Sequence, residues 1–553
     1  MYQLKNKIGI LVLGLTVLIS CHGLEDLNEN PNQIGSDNVD PNLLMATVIS
    51  GTAKNVVGLG FGDMAGVMQH TQKDGWSGGH NSYDWSNDSH SWNGYYSLLN
   101  NNKTLIEKAE TDNLDFHLGV GLVMKAYLFG MITDLWGDAP YSGALRADEG
   151  VDFFDAVFDD QKDIYTGIFA DLSRANTLLS KSQDAYFSIQ TQQDILYAGN
   201  VAQWRKFANS LALRYYMRLS VKEPGVAAEG IRRIASNPQQ YPLITDATDD
   251  ANVDYVGASP NDSWPSNTEF DTSPQGAYFR IKMAATLVDA LQMLEDPRLA
   301  VWANKIEIPL VEDVGSPDDT DYIDDTTGER HVSEKLVDDH LAIVGEPVNF
   351  DKEYVGLPTA ITLGPAYNLK KEFNQGSYNP HVSQLNDIYK AASGPLLKSR
   401  LISAAEVHFI LAEAALNGWA TGSAEQYYNQ GIQQSLNAWG VGDSYATYIS
   451  GPAAYGDYED IIEQKWIASW TSAAQSWFDY RRTGLPDLQT GPTAKRAALP
   501  LRFYYHIDEI DNNTANADAA INKLETTPFK GEDTTNNSAW SKMWLLQGTN
   551  QPY

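Results

Sequence analysis

Two stretches of the chain combine flat aromatic rings with amide and carboxylate groups. Gln72 to Tyr96 reads QKDGWSGGHNSYDWSNDSHSWNGYY, and in it Trp76, Tyr83 and Trp85 are interleaved with Asn81 and Asp84. Asn261, Asp262, Ser263, Trp264 and Pro265 repeat the combination on a second segment. The apolar C–H faces of a pyranose ring stack on such rings, while amides and carboxylates bond its hydroxyls. These residue types therefore predict a sugar-contacting surface made of Trp76, Asn81, Tyr83, Asp84, Trp85, Asn261, Asp262 and Trp264. The competing expectation is that some of these rings pack down as core. Trp92, just before a helix start at Asn93, is assigned to the core on that ground.

Other chemistry finds less support. The chain has no Gly-x-Ser-x-Gly elbow, no His-Glu-x-x-His pair and no Gly-Lys-Ser phosphate loop. Its ten histidines lack ligand spacing, and His408 falls on the apolar face of a helix, where a satisfied core histidine is expected. Paired carboxylates could serve a glycosidase, and Asp159/Asp160, Asp249/Asp250, Asp318/Asp319 and Asp324/Asp325 are available. With 71 acidic residues in the chain, however, such neighbours arise by chance. A surface glycoside hydrolase is kept as the alternative to a non-catalytic binder. Asp318 to Glu329 (DDTDYIDDTTGE) has the oxygen density for structural calcium but not the order of an EF-hand loop, so a solvated acidic loop is expected, with no metal and no cofactor.

Cys21 is the only cysteine. Lys5 and Lys7 precede an apolar run, Ile8 to Ile19, that is too short to span a bilayer, for which about 20 residues are needed. This is the pattern of a secretory signal peptide over residues 1–20. The run ends in Leu18-Ile19-Ser20-Cys21, a small residue before cysteine, which looks like the lipobox of a bacterial lipoprotein. An exported chain with one thiol has no internal disulfide to form. Lipidation of Cys21 gives it a use, since each buried CH₂ adds about 0.8 kcal/mol of membrane affinity. Residues 21–42, polar and rich in Asn, then form a lipidated tether. Residues 43–553 form the body as a single domain, in which no other apolar run is expected to cross a membrane.

Composition narrows the ligand. The net charge is −32 at pH 7, with 43% hydrophobic and 20% charged residues, as for a globular protein. An acidic surface disfavours nucleic acid and anionic polymers. Lys73 is the only basic residue in the candidate segments. A neutral polysaccharide or oligosaccharide is the expected partner. The 14 Trp, 29 Tyr and 17 Phe supply rings for both core and ligand.

The elements that must position these segments are helical. Phe116 to Trp136 is apolar nearly all round and predicts a buried helix stopped by Gly137-Asp138-Ala139-Pro140. Trp204 to Leu219 repeats apolar residues at three- and four-residue steps. Ser403-Ala-Ala-Glu406 is a capping box that opens a helix to Trp419, and Ala424 to Asn437 follows as its partner. Ile461 to Tyr480 predicts one amphipathic helix; Leu43 to Val57 and Asp163 to Leu179 predict two more. Gln72 to Tyr96, Asp246 to Gln275 and the acidic Val311 to Glu334 are expected as long loops, which in a compact domain are usually functional. The fold class is mostly α: a tetratricopeptide-like helix-pair scaffold carrying a long, loop-rich ligand-binding face.

Several segments in order resemble the SusD/RagB family of Bacteroidetes outer-membrane lipoproteins, in its SusD-like 2 branch. They are Asp26 to Asn32 (DLNENPN), Met124 to Tyr141 around Asp134-Leu-Trp-Gly-Asp138-Ala-Pro140, and Trp204 to Arg214 (WRKFANSLALR). Glu295-Asp-Pro-Arg298-Leu, Tyr354 to Pro358, Ala412-Glu413-Ala and Trp477 through Arg481-Arg482-Thr-Gly-Leu-Pro486 continue the likeness. Leu499 to Tyr505 is close to a further motif, with His506 where the family has proline. The resemblance implies four tetratricopeptide-like helix pairs, capture of oligosaccharides at the cell surface, and delivery to a TonB-dependent porin of the SusC type. It implies no catalysis, and it permits a peptide or other nutrient as cargo. It places Cys21 in the outer leaflet of the outer membrane, facing outward.

Overall fold

The structure, a computed structural model, describes residues 39–75, 77–371 and 378–553. Residues 1–38, with the leader and Cys21, and Trp76 lie outside the described residues. The helical body begins at Pro41 rather than Leu43. Asp40 caps the first helix by accepting from Asn42 N at 2.9 Å, and the buried Asn42 side chain donates to Ser188 O. These residues therefore belong to the body and not to the tether.

The helices include, in chain order, α1 (Pro41–Gly60), α2 (Asp63–Val67), α3 (Asn93–Thr111), α4 (Asp115–Trp136), α5 (Gln161–Leu178), α6 (Val201–Arg218) and α7 (Pro224–Ala235). After a loop-rich middle come α8 (Ala285–Met293), α9 (Glu334–Val344), α10 (Ala404–Leu416), α11 (Ala424–Ala438), α12 (Tyr458–Ala468) and α13 (Ala473–Thr483). The fold is mostly helical, as expected. Neighbours α3 and α4, α5 and α6, α10 and α11, and α12 and α13 pack as successive helix pairs, and α6 meets α10 to join the two halves.

α4 shows why an all-apolar sequence can be a core helix. Except for its first residue and Lys125 it is buried throughout, and Gly137 at φ 98° ends it. Gly130 has no side chain because Tyr215 of α6 lies there: a Cβ would meet its hydroxyl at 1.8 Å. By length and composition alone α4 could span a membrane, as could Pro41–Val67, contrary to the expectation from sequence. In α4, 94% of that apolar window is covered by protein.

Two helix expectations change. Ile461 to Tyr480 is not one helix but two, α12 and α13, because Thr471 turns left-handed at φ 70°. The break drops Trp470 into a ring cluster, where it stacks on Trp302 at 5.2 Å and donates to Tyr389 Oη. At α10, Ser403 accepts from Glu406 N as predicted, but the Glu406 carboxylate does not close the box. It is taken by Arg214 of α6 through two bonds of 2.6 Å.

That pair is one part of a buried ionic network. Arg482 of α13 binds Glu413 of α10 (Nη2–Oε2 2.8 Å) and Asp479 (3.1 Å). Asp479 also receives Lys465 of α12 at 2.7 Å. Arg218 of α6 reaches Asp134 of α4 at 3.3 Å, and Tyr165 of α5 donates to the same carboxylate. All but Glu406, which keeps a little exposure, are buried.

The strands are short. β1 (Thr71–Lys73) pairs with β5 (Ile281–Met283), β2 (Ala139–Pro140) with β3 (Phe158–Asp159), and β4 (Ala251–Asp254) with β9 (Lys398–Ile402), all antiparallel. Val311 to Glu334 is not the irregular acidic loop expected from its composition. It folds as a three-stranded sheet in the order β6 (Leu310–Asp313), β8 (Arg330–Ser333), β7 (Asp321–Ile323), in which Leu310 and Val332 are buried and the acids keep at least partial exposure.

Burial raises the Asp479 carboxyl, but Lys465, Arg482 and Arg218 overcome it and hold the group far below its ordinary value. Its contribution is therefore complete above about pH 4 and is lost as the pH falls below that. Asp479→Asn leaves Lys465 buried without its acid and Arg482 with Glu413 alone. The variant is expected to lose about 3–5 kcal/mol, read as a lower urea midpoint at pH 7.

Candidate functional site

One cleft lies where the first aromatic segment meets the loop-rich middle. Its volume is about 350 Å³. Gln72 to Ser82 forms one wall, Leu357 to Pro365 the other, and Thr493 closes one end. Leu357, Pro358, Ile361, Leu363 and Pro365 make it half apolar; Gln72, Ser77, Asn81, Ser82 and Thr493 supply amides and hydroxyls. Among the described residues, no ionisable side chain lines it.

The walls are held by backbone mimicry. β1 pairs with β5, and Leu357 N donates to Met283 O, so both walls hang on the same strand. Gln72 Oε1 accepts from Ala360 N across the cleft floor at 3.2 Å. Thr493 donates to Ala360 O through its hydroxyl (2.7 Å) and its backbone N–H (2.8 Å). Gly491 must be glycine there, because a Cβ would strike Thr359 O at 1.8 Å. Ala360, Leu363, Asn368 and Leu369 all hold positive φ, a concentration of backbone strain that commonly marks ligand-binding turns. Leu363 remains 42% exposed at the rim.

The described residues singled out from sequence divide among this cleft, the core and the open surface. Asn81 lines the cleft, but its amide is occupied: Oδ1 accepts from Lys73 N at 2.8 Å and Nδ2 donates to Lys73 O at 2.7 Å. Asp84 is exposed beside Lys495, 3.3 Å away. Trp76 stands in sequence between Gly75 and Ser77, which both line the cleft.

Tyr83 and Trp85 are core residues, not open platforms. Trp85 donates to Gly79 O and meets Phe503 and Trp477 edge to face at 5.3 and 6.2 Å. Trp264 is likewise enclosed, against Phe61 at 5.3 Å and Tyr255 at 5.5 Å, with its N–H donated to Ser266. Each large ring removes far more apolar surface from water by packing inward than by resting on a loop, so these three offer no face to a ligand. Asn261 is exposed, and Asp262 is spent on its own turn, accepting from Ala258 N and Ser259 N. Neither residue lines the cleft. The wall Leu357 to Pro365 was not foreseen as a site. Its only signal was an apolar run, LPTAITLGP, punctuated by Pro and Gly.

Elsewhere the titratable groups are committed to structure. Trp92 and His408 sit in the core as expected, the latter bonded to Thr245 O. The neighbouring acids diverge: Asp159 accepts from Tyr141 N and Ser142 N while Asp160 pairs with Lys523, and Asp249 pairs with Lys206 while Asp250 caps α10 at Ala404 N. Burial pushes the Asp250 carboxyl up to about 7, in a place without access to a ligand. Among the described residues, no group of three or more His, Cys, Asp or Glu is placed to hold a metal ion.

A family model described as starch-binding, associating with the outer membrane, matches residues 31–328 and 345–506. The chain belongs to this SusD-like family. Solved SusD-like structures share its fold over nearly their full length. A SusD homologue of Bacteroides fragilis is 23% identical, with TM-score 0.68, covering 92% of this chain and 99% of its own. An outer-membrane protein of Bacteroides vulgatus gives 23%, TM-score 0.69, 92% and 100%. A chitin-binding SusD homologue of Flavobacterium johnsoniae gives 19%, TM-score 0.65, 91% and 99%. No curated protein matches the chain. Against the family model, residues 329–344, which hold β8 and α9, fall between the matched segments.

The first cleft wall is itself pinned by a buried histidine. Nε2 of His80 lies 3.1 Å from Thr71 Oγ1, and burial, then Lys73, push the ring's pKa down to about 3. The unfolded histidine titrates near 6.5, so stability from the neutral ring is full above that pH and falls as the pH drops toward about 3. Between pH 7.5 and 5 the parent is expected to lose about 2 kcal/mol more than His80→Gln, measured by urea unfolding at both pH values.

Proposed function

We propose that the protein is a non-catalytic, cell-surface glycan-binding lipoprotein. It captures a neutral oligosaccharide or polysaccharide in the Gln72–Ser82/Leu357–Pro365 cleft and passes it to a TonB-dependent transporter of the SusC type. The observation that carries this reading is the cleft: half apolar, lined by amides and hydroxyls, and without an ionisable group among its described lining residues, in a chain of net charge −32. It opens beside the aromatic segment, in a family described as starch-binding. Two proteins of the same fold are chitin binders, which supports the glycan class without naming the sugar.

The energetic demand is modest. Micromolar to millimolar affinity corresponds to about −8 to −4 kcal/mol, within reach of one stacked ring and a few hydrogen bonds. Trp76, which the sequence places between the cleft-lining Gly75 and Ser77, is the ring proposed to stack, and Leu363 supplies apolar surface at the rim. A ligand of this kind takes nothing from the protein's charge, so alginate or sulfated polymers are not expected to bind.

Affinity gels containing soluble starch, glycol chitin or mixed-linkage β-glucan test the reading. The parent is expected to be retarded by one of these, and Trp76→Ala to lose about tenfold or more of that affinity. Trp85→Ala and Trp264→Ala are expected instead to lower stability by about 3–5 kcal/mol as core truncations. Retention of Trp76→Ala equal to the parent's would refute the site, and new reducing ends on incubation would refute the absence of catalysis. Lipidation on Cys21 is expected to show as palmitate incorporation that Cys21→Ala abolishes, with release of the protein from the membrane fraction.

A further inference from the structure

We infer that Tyr322 heads a second sugar-binding platform, separate from the cleft, on the sheet β6-β8-β7. The inference rests on the glycan-binding reading and extends it from one sugar segment to two.

The pairing register puts Val311, His331 and Tyr322 in one row across the three strands, so their side chains share a face. The Tyr322 ring lies flat on the His331 ring, with centroids 5.0 Å apart and planes at 9°. His331 is held in turn by Asp313, Nδ1 to Oδ1 at 2.8 Å. β7 is an edge strand, so no further strand covers the other side of Tyr322, and the residue is 50% exposed. Most other large rings in the molecule are buried or packed against the core. This ring is oriented but uncovered.

The support beneath it is rigid. Buried Arg330 of β8 clasps Asp321 of β7 through two bonds of 2.7 and 3.0 Å, and donates to Leu369 O at 2.6 Å. α9, which follows β8, packs on the Gly364–Leu369 turn, where the Leu357–Pro365 wall of the cleft continues. Platform and cleft are thus mounted on connected backbone.

The chemistry selects the ligand. One flat ring suits the C–H face of one pyranose. Thr320 and Asp324 flank β7 in sequence, and Asp324 Oδ1 is spent on its own turn, accepting from Thr326 N at 2.7 Å and Thr327 N at 3.2 Å, so the ring is the contact that the platform offers. The segment that carries the platform also contains Asp313, Asp318, Asp319, Asp325 and Glu329, an excess of negative charge that disfavours anionic polymers, nucleic acid and anionic lipid. A protein partner would require a broader apolar centre than one ring among acids. His331 belongs to the stretch that the family model does not match. A polymer reaching both cleft and platform gains through effective concentration, whereas a short oligosaccharide fills the cleft alone.

The test compares polymer with oligomer. Tyr322→Thr and His331→Ala are run beside the parent and Tyr322→Phe, in affinity gels of soluble starch, glycol chitin and mixed-linkage β-glucan. Calorimetry with the matching trisaccharide follows. For the polymer that retards the parent, Tyr322→Thr and His331→Ala are expected to weaken retention about 3- to 10-fold. Tyr322→Phe, which keeps the ring, should match the parent, and trisaccharide affinity should be the same in all four proteins, which also shows that the variants fold. Parent-like polymer retention by Tyr322→Thr overturns the platform while leaving the cleft standing. An equal loss of trisaccharide affinity in Tyr322→Thr also overturns it, by removing its independence from the cleft. A parent retained by none of the three polymers overturns the glycan reading and the platform together.

Discussion

Arg482 is charged, buried, and enclosed by Glu413 of α10 and Asp479 of its own helix. Asp479 in turn holds Lys465 of α12, and Arg218 and Asp134 extend the chain of charges to α6 and α4. Pairs of this kind are seldom favourable against an apolar core of the same shape, because desolvating the ions cancels most of their attraction. Their effect is directional. A leucine tolerates several neighbours, whereas a guanidinium without its carboxylate is prohibitive, so only one mutual placement of these helices is allowed. The bidentate Arg214–Glu406 pair adds the same constraint between α6 and α10.

That constraint explains how loops so long can be ordered. With the helices fixed, polar side chains complete what the loop backbone lacks. Asn81 imitates a strand partner for Lys73, Gln72 bridges to Ala360, Asp262 caps its own turn, and Asp159 accepts from two successive N–H groups. The cost is that each amide or carboxylate used in this way is no longer available to a ligand. A loop rich in Asn and Asp is therefore ambiguous in the sequence: the same atoms that would read a sugar also hold the loop that would present it.

The helices were legible because periodicity and caps are local signals. α4, α6 and α10 lie within a few residues of where their sequences place them. The break between α12 and α13 was not, since it is decided by the space waiting for Trp470 among Trp302 and Tyr389. Tyr83, Trp85 and Trp264 misled for the same reason. A ring's residue type shows that it will bury apolar area but not on which side, and only the tertiary neighbours Phe61, Trp477 and Phe503 decide that. In Leu310–Ser333 the density of acids masked a sheet whose buried positions are Leu310, Arg330, Val332 and Ser333. The cleft's second wall, being neutral and apolar, carried none of the residue types by which chemistry is recognised in a sequence.

The charge of the chain acquires a definite meaning from this arrangement. A net −32 produces a long-range field, but a neutral sugar meets neither attraction nor repulsion through it. Encounter is then not steered, and capture depends on contact area and on how often ligand and cleft meet. A tether at Cys21 would raise that frequency by confining the cleft near its transporter, and a second ring at Tyr322 would raise it by keeping one part of a polymer at the surface while another part rebinds. Both devices increase effective concentration without tightening any single contact. A carrier that must release its cargo to a transporter needs that combination, because strong binding at one site would hold the sugar where it was first caught.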